Sequence, residues 1–185
     1  MIKKFELDLS SKMTILGVEL FRIKALISFG NIKEGELGGY VEKEDNLSHS
    51  GNAWVSGNAR VSGNAEVYGD AWVSGSAWVY GNARVSGSAW VSGNAEVYGN
   101  AWVYGDAEVY GDAEVSKLND YILFKNTWSR GRYFTYTKSN KMWKVGCFYG
   151  TGEELIEKAY EDSEKSGKHY EAYVNFVKTF EALDD

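Results

Sequence analysis

The stretch GNAWVSGNARVSGNAEVYGDAWVS, residues 51–74, contains nearly the same six-residue unit four times, and the unit continues to Ser116. In every unit a Val follows an Ala by two positions, with one variable residue between them. Residues two apart on a strand point to the same side, so Ala and Val face one interior and the variable residue faces outward. Gly followed by Asn, Asp or Ser separates the units, and these residues favour turns. The sequence therefore predicts short strands joined by tight corners in a solenoid.

A helix is excluded by the same repeat, because each Gly would cost about 1 kcal/mol in a helix and the period does not match 3.6 residues. The Ala–x–Val pattern resembles the hexapeptide signature of left-handed parallel β-helices, and the resemblance covers eleven consecutive units, 51–116. In that family three units form one triangular coil. The resemblance implies a mainly β protein built on a left-handed parallel β-helix over 51–116, with an N-terminal strand cap in 1–50. The residues after the repeat, 117–185, are expected to form a small α+β C-terminal domain.

The cap is expected to contain a strand within residues 18–29 and an irregular first coil. Val41 and Leu47 are the inward residues of that coil. Leu47 precedes the first regular Val by eight positions rather than six, which predicts a small bulge. A cap is required because the open end of a solenoid would expose strand edges and core.

The outward positions form columns, because residues one coil apart lie above one another at about 4.8 Å. The columns before each Val are Trp54, Trp72, Trp90 and Glu108; Arg60, Trp78, Glu96 and Glu114; and Glu66, Arg84 and Trp102. The first column is a tryptophan ladder beside a column of serines, and Glu66 and Arg84 are placed to pair. Either the ladder stabilises the sheet, or it forms an interface with a partner or a second copy. The candidate binding residues are Trp54, Trp72, Trp90, Trp78, Trp102, Glu96, Glu108 and Glu114.

The charge of the chain is uneven and excludes several classes of function. The net charge is -6, and residues 51–116 carry 2 basic against 7 acidic side chains. The solenoid lacks the basic stripe that binds phosphates, so nucleic acid is an unlikely partner. No apolar run is long enough for a membrane helix, and MIKKFELDLSSK lacks the apolar core of a signal peptide. With a single cysteine, Cys147, a cytoplasmic protein without cofactor or metal is expected.

The C-terminal domain is predicted to contain strands over 120–124, 132–137 and 141–149, with a hairpin turn between the last two. Cys147 alternates with Trp143 in the third strand, which predicts that its side chain is buried. Thr151 begins a Thr-x-x-Glu capping box and a helix that is expected to end at Gly167, followed by a second helix over 169–183. This domain is expected to close the C-terminal end of the solenoid.

Catalysis has few candidate residues. Many hexapeptide-repeat proteins are acyltransferases with a His base, and others are γ-class carbonic anhydrases. The chain contains His49 and His169, which cannot supply three zinc ligands, so the anhydrase interpretation fails. An acyltransferase with His49 as base is one alternative. A sponge for a small ligand, with pockets between protomers or between the solenoid and the C-terminal domain, is another.

The segment FRIKALISFGNIKEGELGGYVEKEDNLS, residues 21–48, resembles the N-terminal cap of hexapeptide-repeat proteins common in bacteriophages and prophages. The resemblance implies a non-enzymatic phage or prophage binding protein. Small acidic phage proteins without catalytic groups often block a host protein, so an inhibitor of a bacterial defence system, acting by protein–protein interaction, is the main hypothesis. Self-association into a homo-oligomer is also expected.

Overall fold

A computed structural model describes residues 2–183. Three strands form the N-terminal cap: β1 (Phe5–Ile15), β2 (Val18–Ala25) and β3 (Leu37–Val41). β1, β2 and β3 pair antiparallel in that order, and β3 then pairs in parallel with a strand of the solenoid, Tyr40 with Arg60 and Val41 with Val61. The cap is therefore continuous with one face of the solenoid.

Within the described residues, eleven two-residue strands follow the cap, one every six residues. They are β4 (Trp54–Val55), β5 (Arg60–Val61), β6 (Glu66–Val67), β7 (Trp72–Val73), β8 (Trp78–Val79), β9 (Arg84–Val85), β10 (Trp90–Val91), β11 (Glu96–Val97), β12 (Trp102–Val103), β13 (Glu108–Val109) and β14 (Glu114–Val115). The first face contains β4, β7, β10 and β13, the second β5, β8, β11 and β14, and the third β6, β9 and β12. Parallel pairing along each face confirms a mainly β fold with a parallel β-solenoid of about four turns. Its left-handedness stays a prediction from the resemblance.

The interior and the corners follow from the repeated unit. The Ala and Val of every unit are buried, so each coil fills the same narrow core with the same small side chains. The corner glycines have positive φ, for example +67° at Gly75. A Cβ on Gly75 would lie 2.9 Å from the carbonyl oxygen of Gly93 in the next coil. Only glycine satisfies both the left-handed backbone and this close stacking.

The irregular first coil is confirmed. Val41 lies beside Val61, and Leu47 forms an isolated parallel bridge with Val67, so both pairs are separated by twenty residues along the chain. Regular coils are separated by eighteen, as in the pairing of Val61 with Val79. The two extra residues are the bulge that the spacing predicted.

The N-terminal end of the solenoid presents backbone carbonyl oxygens, and side-chain donors bind them. The Lys4 ammonium donates to the carbonyls of Gly51 and Ala53, with Nζ–O distances of 3.3 and 2.8 Å. The Asn46 amide nitrogen likewise lies 3.2 and 2.8 Å from the carbonyl oxygens of the third corner, residues 63 and 65. These contacts satisfy acceptors that the preceding coil would otherwise have satisfied.

The C-terminal end presents backbone N–H groups, and side-chain acceptors bind them. The Glu108 N–H donates to the Thr135 hydroxyl at 2.9 Å, and the Glu114 N–H donates to the Ser139 hydroxyl at 2.8 Å. The Asp120 carboxylate accepts from the N–H groups of residues 116 and 117 at 2.7 and 3.0 Å. The C-terminal domain therefore closes this end of the solenoid.

The C-terminal domain combines an antiparallel sheet with two helices: β15 (Tyr121–Lys125), β16 (Tyr133–Thr137), β17 (Met142–Val145), β18 (Phe148–Gly150), α1 (Gly152–Asp162) and α2 (Glu164–Glu181). The predicted α+β composition is confirmed. The strand predicted over 141–149 is wrong, because Gly146, with φ of +57°, makes a turn that divides it into β17 and β18. The turn resets the alternation of side chains, so Cys147 is exposed rather than buried.

The capping box at the start of α1 is confirmed. The Glu154 N–H donates to the Thr151 hydroxyl, and the Glu154 carboxylate accepts from the Thr151 N–H at 2.8 Å. The prediction that Gly167 ends this helix is wrong, because α1 ends at Asp162 and Gly167 lies within α2. A Cβ on Gly167 would lie 2.3 Å from the Tyr160 ring, so this glycine lets the two helices approach closely.

Candidate binding surface

The first tryptophan of the ladder lies beneath the cap. Trp54 is 0% exposed, and its ring meets Phe29 edge-on at 5.4 Å. A Cβ on Gly38 would come within 2.7 Å of the Trp54 ring, so the glycine makes room for the indole. Trp54 is therefore part of the core and is removed from the candidate binding surface.

The other outward tryptophans make a hydrogen bond that the columns did not predict. Each indole N–H donates to the hydroxyl of the serine sixteen residues earlier: Trp72 to Ser56 at 2.9 Å, Trp78 to Ser62 at 3.2 Å, Trp90 to Ser74 at 2.9 Å and Trp102 to Ser86 at 2.9 Å. The predicted register of Trp54, Trp72 and Trp90 is confirmed, but within residues 2–183 no ring contact joins two tryptophans. Each indole is anchored to the preceding coil instead of stacking on the indole above it.

The sequence carries this signal at a spacing of sixteen rather than eighteen. The four tryptophans share a serine sixteen positions earlier, as do Glu66 and Glu108, whereas Arg84, Glu96 and Glu114 have a tyrosine there. A serine at this position is therefore compatible with an indole but does not require one. The Tyr80 hydroxyl donates to the Glu96 carboxylate at 3.1 Å.

The third regular coil carries the three most exposed aromatic side chains of the solenoid. Trp90, Trp102 and Tyr104 are 42, 43 and 44% exposed, and the rings of Trp102 and Tyr104 lie 5.0 Å apart. The corners at residues 87–88 and 105–106 stack on one another in adjacent coils. Trp90 lies just after the first of these corners, and Tyr104 lies just before the second. We call these three residues the aromatic edge.

The second face carries an aromatic cluster beside carboxylates. The Trp78 and Tyr80 rings lie 4.5 Å apart, and Tyr80 stacks on Tyr98 at 5.2 Å with an interplanar angle of 7°. Burial and the hydrogen bond to Glu96 raise the pKa of Tyr80 to about 12, so its hydroxyl stays protonated. Glu114 lies one coil beyond Glu96 and is exposed. This face is therefore both aromatic and acidic.

The remaining predicted carboxylate belongs to an intramolecular contact. The Lys144 ammonium of β17 lies 3.3 Å from the partly buried Glu108 carboxylate. Glu108 therefore holds the C-terminal domain and is less available to a partner than Glu96 or Glu114. The predicted pair between Glu66 and Arg84 is confirmed at 3.8 Å, in an exposed position worth about 0–1 kcal/mol.

His49 uses both ring nitrogens inside the protein. Its Nδ1 accepts from the Lys4 N–H at 3.1 Å, which leaves Nε2 to donate to the Glu44 carboxylate at 2.7 Å. The ring also stacks on Phe5 at a centroid distance of 4.4 Å. This arrangement fixes the first coil to β1 and leaves His49 no lone pair with which to take a proton from a substrate.

Between residues 2 and 183, no group of three or more His, Cys, Asp and Glu side chains is arranged to hold a metal ion. None of the helices in that range combines the length and the apolar character needed to cross a bilayer.

Comparison with known families supports the architecture. Residues 65–81 and 77–93 match the family model described as the YdcK beta solenoid repeat. Both matches lie inside the regular coils, where the six-residue strand spacing is strict. No curated protein matches the chain significantly. The chain is a β-solenoid repeat protein.

Proposed function

We propose that the protein is a non-catalytic binding protein whose aromatic edge contacts another protein. The proposal rests on the hydrogen bonds of the exposed indoles of Trp90 and Trp102. Their N–H groups are already bonded to serines, so a partner can cover the rings without leaving a buried donor unsatisfied. Tryptophan and tyrosine are also the residues most enriched where binding energy concentrates in interfaces.

The scaffold beneath these rings favours binding over folding as their role. The backbone of each coil is hydrogen-bonded to the next, and the interior is filled by Ala and Val. The surface is therefore fixed before a partner arrives, and association costs little ordering entropy.

Charge indicates the chemistry of the partner. Residues 51–116 carry 2 basic and 7 acidic side chains, and Asp106 lies in the corner next to Tyr104 of the aromatic edge. A basic protein surface is complementary to this charge and would be steered toward it. Nucleic acid would be repelled.

The resemblance of residues 21–48 to phage and prophage proteins leads us to propose a host defence protein as this partner. Its inhibition would then follow from occupation of a basic surface rather than from chemistry. The hydrogen bonds of His49 support this choice over the acyltransferase alternative, because both ring nitrogens are occupied.

Affinity capture from cells of the producing host tests the proposal. The wild-type protein is compared with a Trp90→Glu/Trp102→Glu variant and with a Leu9→Glu/Leu37→Glu control, whose leucines are exposed on the cap. We expect at least one host protein to be lost about 10-fold or more in the tryptophan variant only, which corresponds to about 1.4 kcal/mol. If nothing is enriched, or if the tryptophan variant retains every enriched protein, the proposal fails. Circular dichroism must show that both variants keep the wild-type fold.

The same surface is our proposal for self-association. A native mass spectrum showing a multiple of 20.7 kDa that reverts to a monomer in Trp90→Glu would support it. A monomeric wild-type protein would leave the aromatic edge to a heterologous partner and would contradict the homo-oligomer.

A further inference from the structure

A cavity of about 450 Å³ lies within the C-terminal domain, and all of its lining residues belong to that domain. Its wall is formed by the loop 126–132, by β17 and β18, by one side of α1 and by the first turns of α2. The volume is within the usual range of small-molecule sites, roughly 300–1,000 Å³. Phe148 and Leu155 form an apolar wall, and Arg130 and Arg132 supply positive charge.

The loop that carries the two arginines is held closed. The Asn126 N–H donates to the Arg132 carbonyl at 2.8 Å, and the Asn126 side-chain oxygen accepts from the Ser129 N–H at 2.9 Å. Trp128 stacks on His169 of α2 at 4.4 Å and on Tyr173 at 5.5 Å. These contacts fix the backbone of the loop, which places the two exposed arginine side chains at the rim of the cavity.

The two arginines differ from the others in their contacts. The three remaining arginines are engaged within the protein: Arg22 with the carbonyl of Gly38, Arg60 with the carbonyl of Ser76 and Arg84 with the carboxylate of Glu66. Within residues 2–183, the side chains of Arg130 and Arg132 take part in no hydrogen bond or ion pair. Unpaired guanidinium groups on a cavity wall offer the planar fork that binds phosphate with two parallel hydrogen bonds.

Neighbouring groups shape the site around Arg132. A Cβ on Gly146 would lie 2.9 Å from the Arg132 Nη1, so the glycine leaves space for the guanidinium beside the β17–β18 turn. Burial raises the pKa of Tyr170, so its hydroxyl stays protonated and can donate to an anion. Lys158 also lines the cavity and adds a cation, although Glu161 lies 2.6 Å from its ammonium.

We propose that this cavity binds a phosphate-bearing small molecule of mononucleotide size. Arg130 and Arg132 hold the phosphate, and the Tyr170 hydroxyl donates to it. The apolar wall covers the uncharged part of the ligand. Asp162, which accepts from the Ser166 hydroxyl at 3.1 Å, accepts from a ligand hydroxyl or amino group. The site is independent of the solenoid surface, so it adds a ligand to the binding protein.

Isothermal titration calorimetry on the full chain tests the site, with 5′-AMP, inorganic phosphate and adenosine as probes. We expect 5′-AMP to bind, and adenosine to bind about 10-fold more weakly or worse, because a hydrogen bond to a charged group is worth about 1.5–3 kcal/mol. Arg130→Gln/Arg132→Gln should weaken 5′-AMP about 10-fold or more. Arg84→Gln, which removes an arginine from the solenoid, should leave its affinity unchanged.

Three results would overturn the proposal. The first is no binding of either 5′-AMP or inorganic phosphate up to about 10 mM, which bounds the binding free energy near 3 kcal/mol. The second is equal affinity for 5′-AMP and adenosine, which removes the role of the phosphate. The third is unchanged 5′-AMP affinity in the double arginine variant when its thermal unfolding matches that of the wild type.

Discussion

Lys4 should make the protein more stable as the pH rises. A surface lysine that is paired with a carboxylate has the opposite effect. The side chain is 1% exposed, with Nζ at 2.8 Å from the Ala53 carbonyl and 4.8 Å above the Phe29 ring. Burial lowers the pKa of Lys4 from 10.5 to about 8, and the Asp70 carboxylate opposes part of the decrease. Folding therefore disfavours the protonated ammonium by about 3 kcal/mol.

The sign follows from the two pKa values. Between pH 8 and 10.5 the unfolded chain holds a proton on Lys4 that the folded protein has lost, so the free energy of unfolding rises with pH. This stability is fully present above pH 10.5 and is lost as the pH falls through 8. Between pH 7 and pH 9.5 the expected gain is about 2 kcal/mol.

Urea unfolding of the wild type and of Lys4→Met at pH 7 and pH 9.5 measures this gain as a difference. The comparison stays below pH 10, because the pKa values of Tyr80 and Tyr121 are raised to about 12 and cost stability once unfolded tyrosines ionise. Lys24→Met, at an exposed lysine of β2, controls for the loss of a positive charge. If the difference between wild type and Lys4→Met changes by less than about 0.5 kcal/mol over this interval, the assignment of Lys4 as a buried, destabilised cation is wrong.

Three further predictions concern the solenoid and its ends. Ser62→Ala removes the acceptor of the Trp78 indole and should lower the free energy of unfolding by about 1 kcal/mol, measured by urea; no change would mean that the bond only orients the ring. Gly75→Ala should lower the melting temperature more than Gly35→Ala, because both positions have positive φ but only a Cβ on Gly75 contacts the next coil. Equal decreases of the melting temperature would contradict the stacking argument. Thr135→Val leaves the Glu108 N–H without its acceptor and should lower the free energy of unfolding by about 1–3 kcal/mol. Thr135→Ser is the matched control that keeps the hydroxyl, and an equal loss in both variants would show that packing, not the hydrogen bond, is measured.

Most of the candidate binding surface was accessible from the sequence. The six-residue period placed Trp72, Trp90 and Glu96 on outward columns with the register that the structure has. Sequence could not show that Trp54 is covered, since the covering residue Phe29 is distant along the chain. The cavity of the C-terminal domain was also not predicted, because its walls come from a loop, two strands and two helices without a shared pattern.

The sequence by itself determined the solenoid, because each unit contains its own strand, corner and inward residues, and identical neighbours complete it. The first irregular coil and the capping box at Thr151 are also local patterns, so they could be predicted. Only the tertiary structure decided which surfaces remain exposed and why Gly167 is a glycine. Trp54 is covered by Phe29 from a distant part of the chain, and Gly167 meets Tyr160 of the preceding helix; steric contacts of this kind leave no period in the chain.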